Sequence, residues 1–269
     1  MFEQTAETRR PPAVAGQFYP ADAAALRDQL GYLYQHASST PAQGRVKALI
    51  APHAGYVYSG QTAANAYHAL GSSAERIDRV ILLGPAHRVA LSGLASPSVD
   101  FFSTPLGDVA LDRDAIRRIE ALPQVRCIDL AHQQEHSLEV QLPFLQTLLD
   151  EFRLVPLVVG DSPPEDVAEV LETLWGGDET LIVISSDLSH FRGYEEARRM
   201  DRKTSQAILD LDLNAIDHED ACGRMPIRGL LRVARRHGLT ARLVDLCNSG
   251  DTAGSRDRVV GYGAYVFCQ

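Results

Sequence analysis

The chain has 269 residues, 45% of them hydrophobic and 23% charged, which is globular composition on a chain long enough to bury a substantial core; disordered and collagen-like classes are excluded. With 26 Lys and Arg against 35 Asp and Glu the formal charge is −9, and no Lys/Arg block forms a phosphate-tracking face, so no nucleic-acid partner is expected. The N-terminal stretch MFEQTAETRRPPAVAG lacks the apolar core of a secretory signal, and no apolar run approaches the ~20 residues that span a bilayer. The expected location is therefore the cytoplasm, without a membrane partner. Cys127, Cys222, Cys247 and Cys268 show no CxxC spacing and are expected to be thiols in that compartment.

Short apolar runs recur along the chain at VKALIAP (46–52), RVILLGP (79–85), FRLVPLVVG (152–160), ETLIVISSD (179–187), ARLVDL (241–246) and VVGYGAYVF (259–267). Several are apolar without alternation, as strands buried on both faces of a parallel sheet are. Between them, 137–150 and 164–175 carry helical spacing, and about 194–238 reads as a mainly helical segment. This alternation predicts an α/β fold, a central mostly parallel sheet flanked by helices, in a single domain over 1–269 with no linker to divide it.

Three histidines stand just past predicted strands: His53 in IAPHAGY, His87 in LLGPAHR and His190 in VISSDLSHF. Ligands of open α/β sheets bind outside the carboxyl ends of the strands, so these loops can converge on one crevice. A lone strand-end His can equally bond a nearby carbonyl; three together favour a divalent transition metal, for which imidazole is the commonest ligand. Asp187 precedes His190 by three residues and can either orient an imidazole or cap a turn. In HQQEHSLEVQLPF (132–144), His136 and Glu139 share a helix face, a pattern too short to mark ligands, and Glu135 or Ser137 reads as a cap. Two imidazoles lack an anion, which Cys222 in DACGRMPI or Cys247 in LCNSGD can supply; Cys222 can also be a small buried residue at a helix joint.

The words AGQFYP, APHAGYVYSG, GPAHRV, SVDFFSTPLGD, EHSLEVQLPF, SSDLSHF, CGRMPI and GYGAYV run in order along nearly the whole chain and resemble the Memo family, also called AmmeMemoRadiSam system protein B. The resemblance implies a fold and site like those of the class III extradiol dioxygenases, with His53, His87 and Cys222 as metal ligands, His190 as the catalytic base and Asp187 beside it. Tyr58 and His136 follow as substrate contacts. Met225 stands where the family motif carries His. The implied cofactor is a divalent transition metal, Fe(II) foremost, with the thiolate drawing preference toward copper or zinc. The expected activity is a non-haem iron oxidoreductase or dioxygenase acting on a small phenolic or similar chelating substrate. The alternatives are a non-catalytic metal- or peptide-binding regulator using the same pocket and a zinc-dependent hydrolase. The family label also implies a functional link to a radical SAM protein and an AMMECR-type protein.

Overall fold

The computed structural model describes residues 7–38, 40, 42 and 44–269; the first six residues of the stretch read for a secretory signal lie outside them. In chain order the strands are β1 (Arg9–Arg10), β2 (Val46–Ala51), β3 (Arg79–Pro85), β4 (Leu94–Ser96), β5 (Phe101–Thr104), β6 (Gly107–Ala110), β7 (Val125–Cys127), β8 (Arg153–Val159), β9 (Thr180–Ser185), β10 (His190–Arg192), β11 (Thr240–Asn248) and β12 (Val259–Cys268). The α-helices are α1 (Ala23–Gln35), α2 (Tyr56–His68), α3 (Arg113–Glu120), α4 (Asp129–Gln133), α5 (Leu142–Leu148), α6 (Pro164–Thr173), α7 (Tyr194–Leu209) and α8 (Arg224–Arg236).

Each of the six apolar runs contains a strand, and all six meet in one large sheet of order β10-β12-β2-β9-β3-β8-β4-β7, with β11 also paired to β12. The sheet is mixed, where the sequence predicts a mostly parallel one. The four central strands are parallel, with Ala51 opposite Ser185 and Leu83 opposite Ile184. Both outer flanks include antiparallel pairs, β12 with β2 and β11, and β4 with β8. Continuous apolarity reports burial on both faces, not strand direction. The 249–258 connection between β11 and β12 is too short for the crossover helix that a parallel pair requires. A small separate sheet, β1-β5-β6, holds the N-terminal segment.

The helices flank the large sheet because each has one apolar stripe to bury. α1 starts where Asp22 accepts the Ala25 N–H at 2.9 Å, and it buries Leu26, Leu30 and Leu33. α6 starts on Pro164 with Glu165 and Asp166 in its first turn, and buries Val167, Val170 and Leu171. α1, α2 and α5 pack together, with α2 against β2, β11 and β12; α6 packs on α8, and α8 on β3 and β9. The predicted helical segment at 194–238 comprises α7, a short turn at Leu213–Ala215 and α8. Among the described residues no helix is long and apolar enough to cross a membrane.

Candidate metal centre

Three adjacent parallel strands, β2, β9 and β3, finish at the same edge of the sheet, and their next residues carry the chemistry. His53 stands two residues past β2, His87 two past β3, and the Ser186–Ser189 turn links β9 to His190. Ligand atoms of His53, His87 and His136 lie within 4.8 Å of one another, close enough to hold a metal ion. The ring centroids of His53 and His87 are 5.2 Å apart, and the His136 ring lies 5.4 Å from the first and 4.7 Å from the second. His136, given by sequence to the substrate, thus stands inside the imidazole group.

Hydrogen bonds fix which nitrogen each ring presents. Ser185 Oγ donates to the Ser137 carbonyl at 2.6 Å and accepts from Gln141 Nε2 at 2.9 Å. With its proton so committed, Ser185 can only accept from His53 Nδ1 at 2.9 Å, which leaves the lone pair of His53 on Nε2. His87 Nδ1 donates to Glu135 Oε1 at 2.9 Å and the His87 backbone N–H to Glu135 Oε2 at 2.7 Å, so Nε2 of His87 is likewise the free donor atom. His136 Nδ1 is buried, 3.5 Å from Glu135 Oε1, and has no hydrogen-bond partner among the described residues. Two imidazoles oriented by other groups and a third with an orphaned nitrogen fit a divalent metal.

For His53 and His136 the surroundings disfavour the charged ring, as ligation requires. Burial first, then His87, His136 and His190, hold His53 well below the ordinary histidine value. Burial takes His136 down to about 4, with Glu135 opposing and His87 and Arg88 assisting. Burial pushes Glu135 up, but the His87 side chain, its charge and the N–H groups of Ser137 and His87 outweigh it, leaving the carboxyl at about 2.

Cys222 Sγ lies 3.3 Å from His53 Nε2 and accepts the Asp187 N–H at 3.3 Å. Burial pushes its thiol well up, followed in effect by the Asp187 charge; a bound cation reverses that logic by favouring the thiolate. Asp187 is itself buried and accepts the His53 backbone N–H at 2.7 Å, so its carboxylate fixes the loop that carries His53. Burial raises its pKa, against the His53 N–H and the neighbouring His190 and His87. His190 Nδ1 donates to the Leu188 carbonyl at 2.8 Å, which leaves Nε2 as the ring nitrogen without a partner in that contact. Phe191, next to it, is held at φ 57°, a left-handed conformation that costs a residue of this type about 1–3 kcal/mol, beside an irregularity in the β10–β12 register. Tyr58 stands on the first turn of α2, 40% exposed.

Cys222 reaches the centre because Gly223 has no side chain. A Cβ there would lie 2.6 Å from Ser186 Cβ, and the Gly223 N–H donates to Ser186 Oγ at 2.9 Å. Gly223→Ala is expected to lower stability by about 1–3 kcal/mol through this overpacking and to displace Cys222. Urea denaturation and the thiolate-to-metal absorption of a cobalt-loaded sample measure the two effects.

Sequence reasoning missed Glu135 as the group that orients His87; its adjacency to His136 and the need of a metal-bound His for an outer acceptor were the available signals. Glu139, its face-mate in the pattern, is fully buried away from that role: it accepts from Arg10 Nη1, the Ala13 and Val14 N–H groups and the Tyr19 hydroxyl at 2.6–2.9 Å. Cys247 meets Thr62 Oγ1 at 3.1 Å on β11. A cavity of about 820 Å³ is lined by Arg79 and Arg153 at the opposite, amino ends of β3 and β8.

Fold and side chains together describe an α/β protein whose sheet edge can hold a metal ion. That description narrows further, because residues 10–266 match the family model for Memo-like protein, and the chain belongs to the Memo family. A MEMO1 family protein of Archaeoglobus fulgidus is 38% identical over 276 residues, covering 96% of this chain and 99% of its own. One from Methanosarcina barkeri is 35% identical over 273 residues, with the same shares. The crystal structure of an uncharacterized protein from Escherichia coli K12 is similar in fold, with a TM-score of 0.53 at 12% identity over 84% of this chain and all of that one.

Proposed function

We propose that this chain is a metal-dependent oxidoreductase of the non-haem iron dioxygenase type, acting in the cytoplasm on a small phenolic or similar chelating substrate. The observation that supports the reading most is the set of imidazoles with ligand atoms within 4.8 Å of one another, in which Nδ1 of His53 and of His87 are tied to Ser185 and Glu135 and Nε2 is left as the ligand atom. His53, His87 and Cys222 would hold the metal, with His136 as a further imidazole at the same point. Fe(II) bound there would supply a Lewis acid for adjacent substrate oxygens and a redox centre through which electrons pass from the substrate, which is oxidised, to dioxygen. The chain's own part is proton movement and orientation. His190 Nε2 takes the substrate's hydroxyl proton and returns it to the product, while Asp187 keeps the His53 loop in place. The functional link to a radical SAM protein and an AMMECR-type protein belongs to the same proposal.

His190→Ala is expected to retain iron at wild-type stoichiometry and to lose dioxygen uptake by about 10²–10⁴-fold, the usual contribution of a positioned acid–base group. Oxygen-electrode traces with a catechol panel, beside elemental analysis, test it; no uptake by reconstituted wild-type iron protein with any catechol sinks the enzymatic reading. A second reading rests on Cys222 Sγ at 3.3 Å from His53 Nε2: a thiol at the centre suits copper or zinc held without turnover. In that case His190→Ala changes nothing measurable.

A further inference from the structure

A second cavity, about 400 Å³, opens along the same carboxyl edge, and Cys222 is part of its wall. Pro85 and Ala86 line it just before His87, and Gly160 and Asp161 line it just past β8, the strand beside β3. Its volume falls in the range of small-molecule sites. Val89, Leu91, Met225 and Pro226 contribute to the apolar part of a lining that is otherwise polar. One cation stands in this lining: Arg224, the first residue of α8.

The position of Arg224 has no structural explanation within the chain. Its side chain is half-buried, and among the described residues the guanidinium has neither an ion pair nor a hydrogen bond. A cation at the start of a helix opposes the helix dipole, which favours anions there. Five N–H donors in a planar fork, left unfilled beside an apolar wall, match a carboxylate. Asp161, the single acid of the lining, is solvent-exposed and not paired with it.

We infer that this cavity is the substrate chamber of the centre, and that it selects a small organic acid: the apolar body lies against Leu91 and Met225, and the carboxylate is held by Arg224. The inference rests on the proposed metal-centred function and adds the substrate class. Arg224 is a specificity-determining residue and carries no proton in the reaction.

The test is titration calorimetry on zinc-loaded full-length protein with phenylacetate and hexanoate, each against its neutral amide. Wild type is expected to bind each acid roughly tenfold or more tightly than its amide, as a charge-assisted pair dictates. Arg224→Gln is expected to erase that preference with bound zinc unchanged, and Arg224→Lys to restore part of it. Met225→Trp, which fills the chamber, is expected to weaken acid and amide alike. The inference is overturned if neither acid outbinds its amide on wild type, or if the preference survives in Arg224→Gln, which would put the anion on the metal. Failure of the metal-centred reading is separately visible as wild-type protein that takes up no zinc.

Discussion

Glu139→Ala is expected to destabilise the protein by roughly 3–5 kcal/mol, the usual effect of removing one partner of a buried ion pair. Arg10 and Glu139 meet at 2.7 Å with side chains 5% and 0% exposed. Arg10 also donates to the carbonyls of His132 and Glu135 at 2.7 Å each, so the pair pins the N-terminal segment to the turn that carries Glu135 and His136. Without the carboxylate a buried guanidinium, two backbone N–H groups and the Tyr19 hydroxyl lose their acceptor together. Urea denaturation measures the loss, and a shift below about 1 kcal/mol would contradict the account, since that is the range of an exposed pair. The double substitution Arg10→Met with Glu139→Leu is expected to be less destabilised than Glu139→Ala, because no uncompensated charge then stays buried. Metal affinity is expected to fall in Glu139→Ala as well, through the slackened Glu135–His136 turn.

The sheet's central strands and the strand-end histidines were legible because both follow from local pattern. A run such as RVILLGP is apolar without alternation wherever helices cover both faces, and a residue just past such a run belongs to the sheet's carboxyl edge. Strand direction at the flanks was not legible, since Val259–Cys268 reads the same in a parallel and an antiparallel sheet. His136 and Glu135 were obscured for another reason. Their segment, 132–144, approaches the centre from outside the strand-end loops, and tertiary packing places it over β3: a Cβ at Gly84 would be 2.6 Å from Ser137 Oγ, and that hydroxyl donates to the Pro85 carbonyl at 3.2 Å. Helical spacing singled out Glu139 beside His136, yet the short 3-10 turn at Glu139–Gln141 sends Glu139 toward Arg10 and leaves Glu135 facing His87. Arg224 was invisible as a site residue, because an arginine with no partner can be recognised only once the partners are seen to be missing.

Glu135→Gln is expected to weaken divalent-metal binding by about 10–100-fold, the range for loss of a group that orients a metal-bound histidine. The carboxylate accepts three hydrogen bonds: His87 N–H on Oε2, and His87 Nδ1–H and Ser137 N–H on Oε1. Glutamine keeps one oxygen, so its amide N–H₂ must face a donor, and the ring of His87 loses the charge that makes Nε2 more basic. The pH dependence separates this from a general loss of packing. The folded-state pKa of Glu135 is about 2 against an ordinary 4.5, so the carboxylate stabilises the fold fully above about 4.5, and that contribution is lost as pH falls toward 2. For a side chain 1% exposed the loss is on the order of 3 kcal/mol. Wild type is therefore expected to lose stability between pH 5 and pH 2 by more than Glu135→Gln does, the difference approaching that amount. Urea midpoints at both pH values, with zinc competition assays near neutrality, measure the two effects. Equal acid sensitivity of the two proteins would show that Glu135 is not held ionised by His87 and Ser137. Together with unchanged zinc affinity, it would remove the reason for assigning His87 a fixed Nε2 donor.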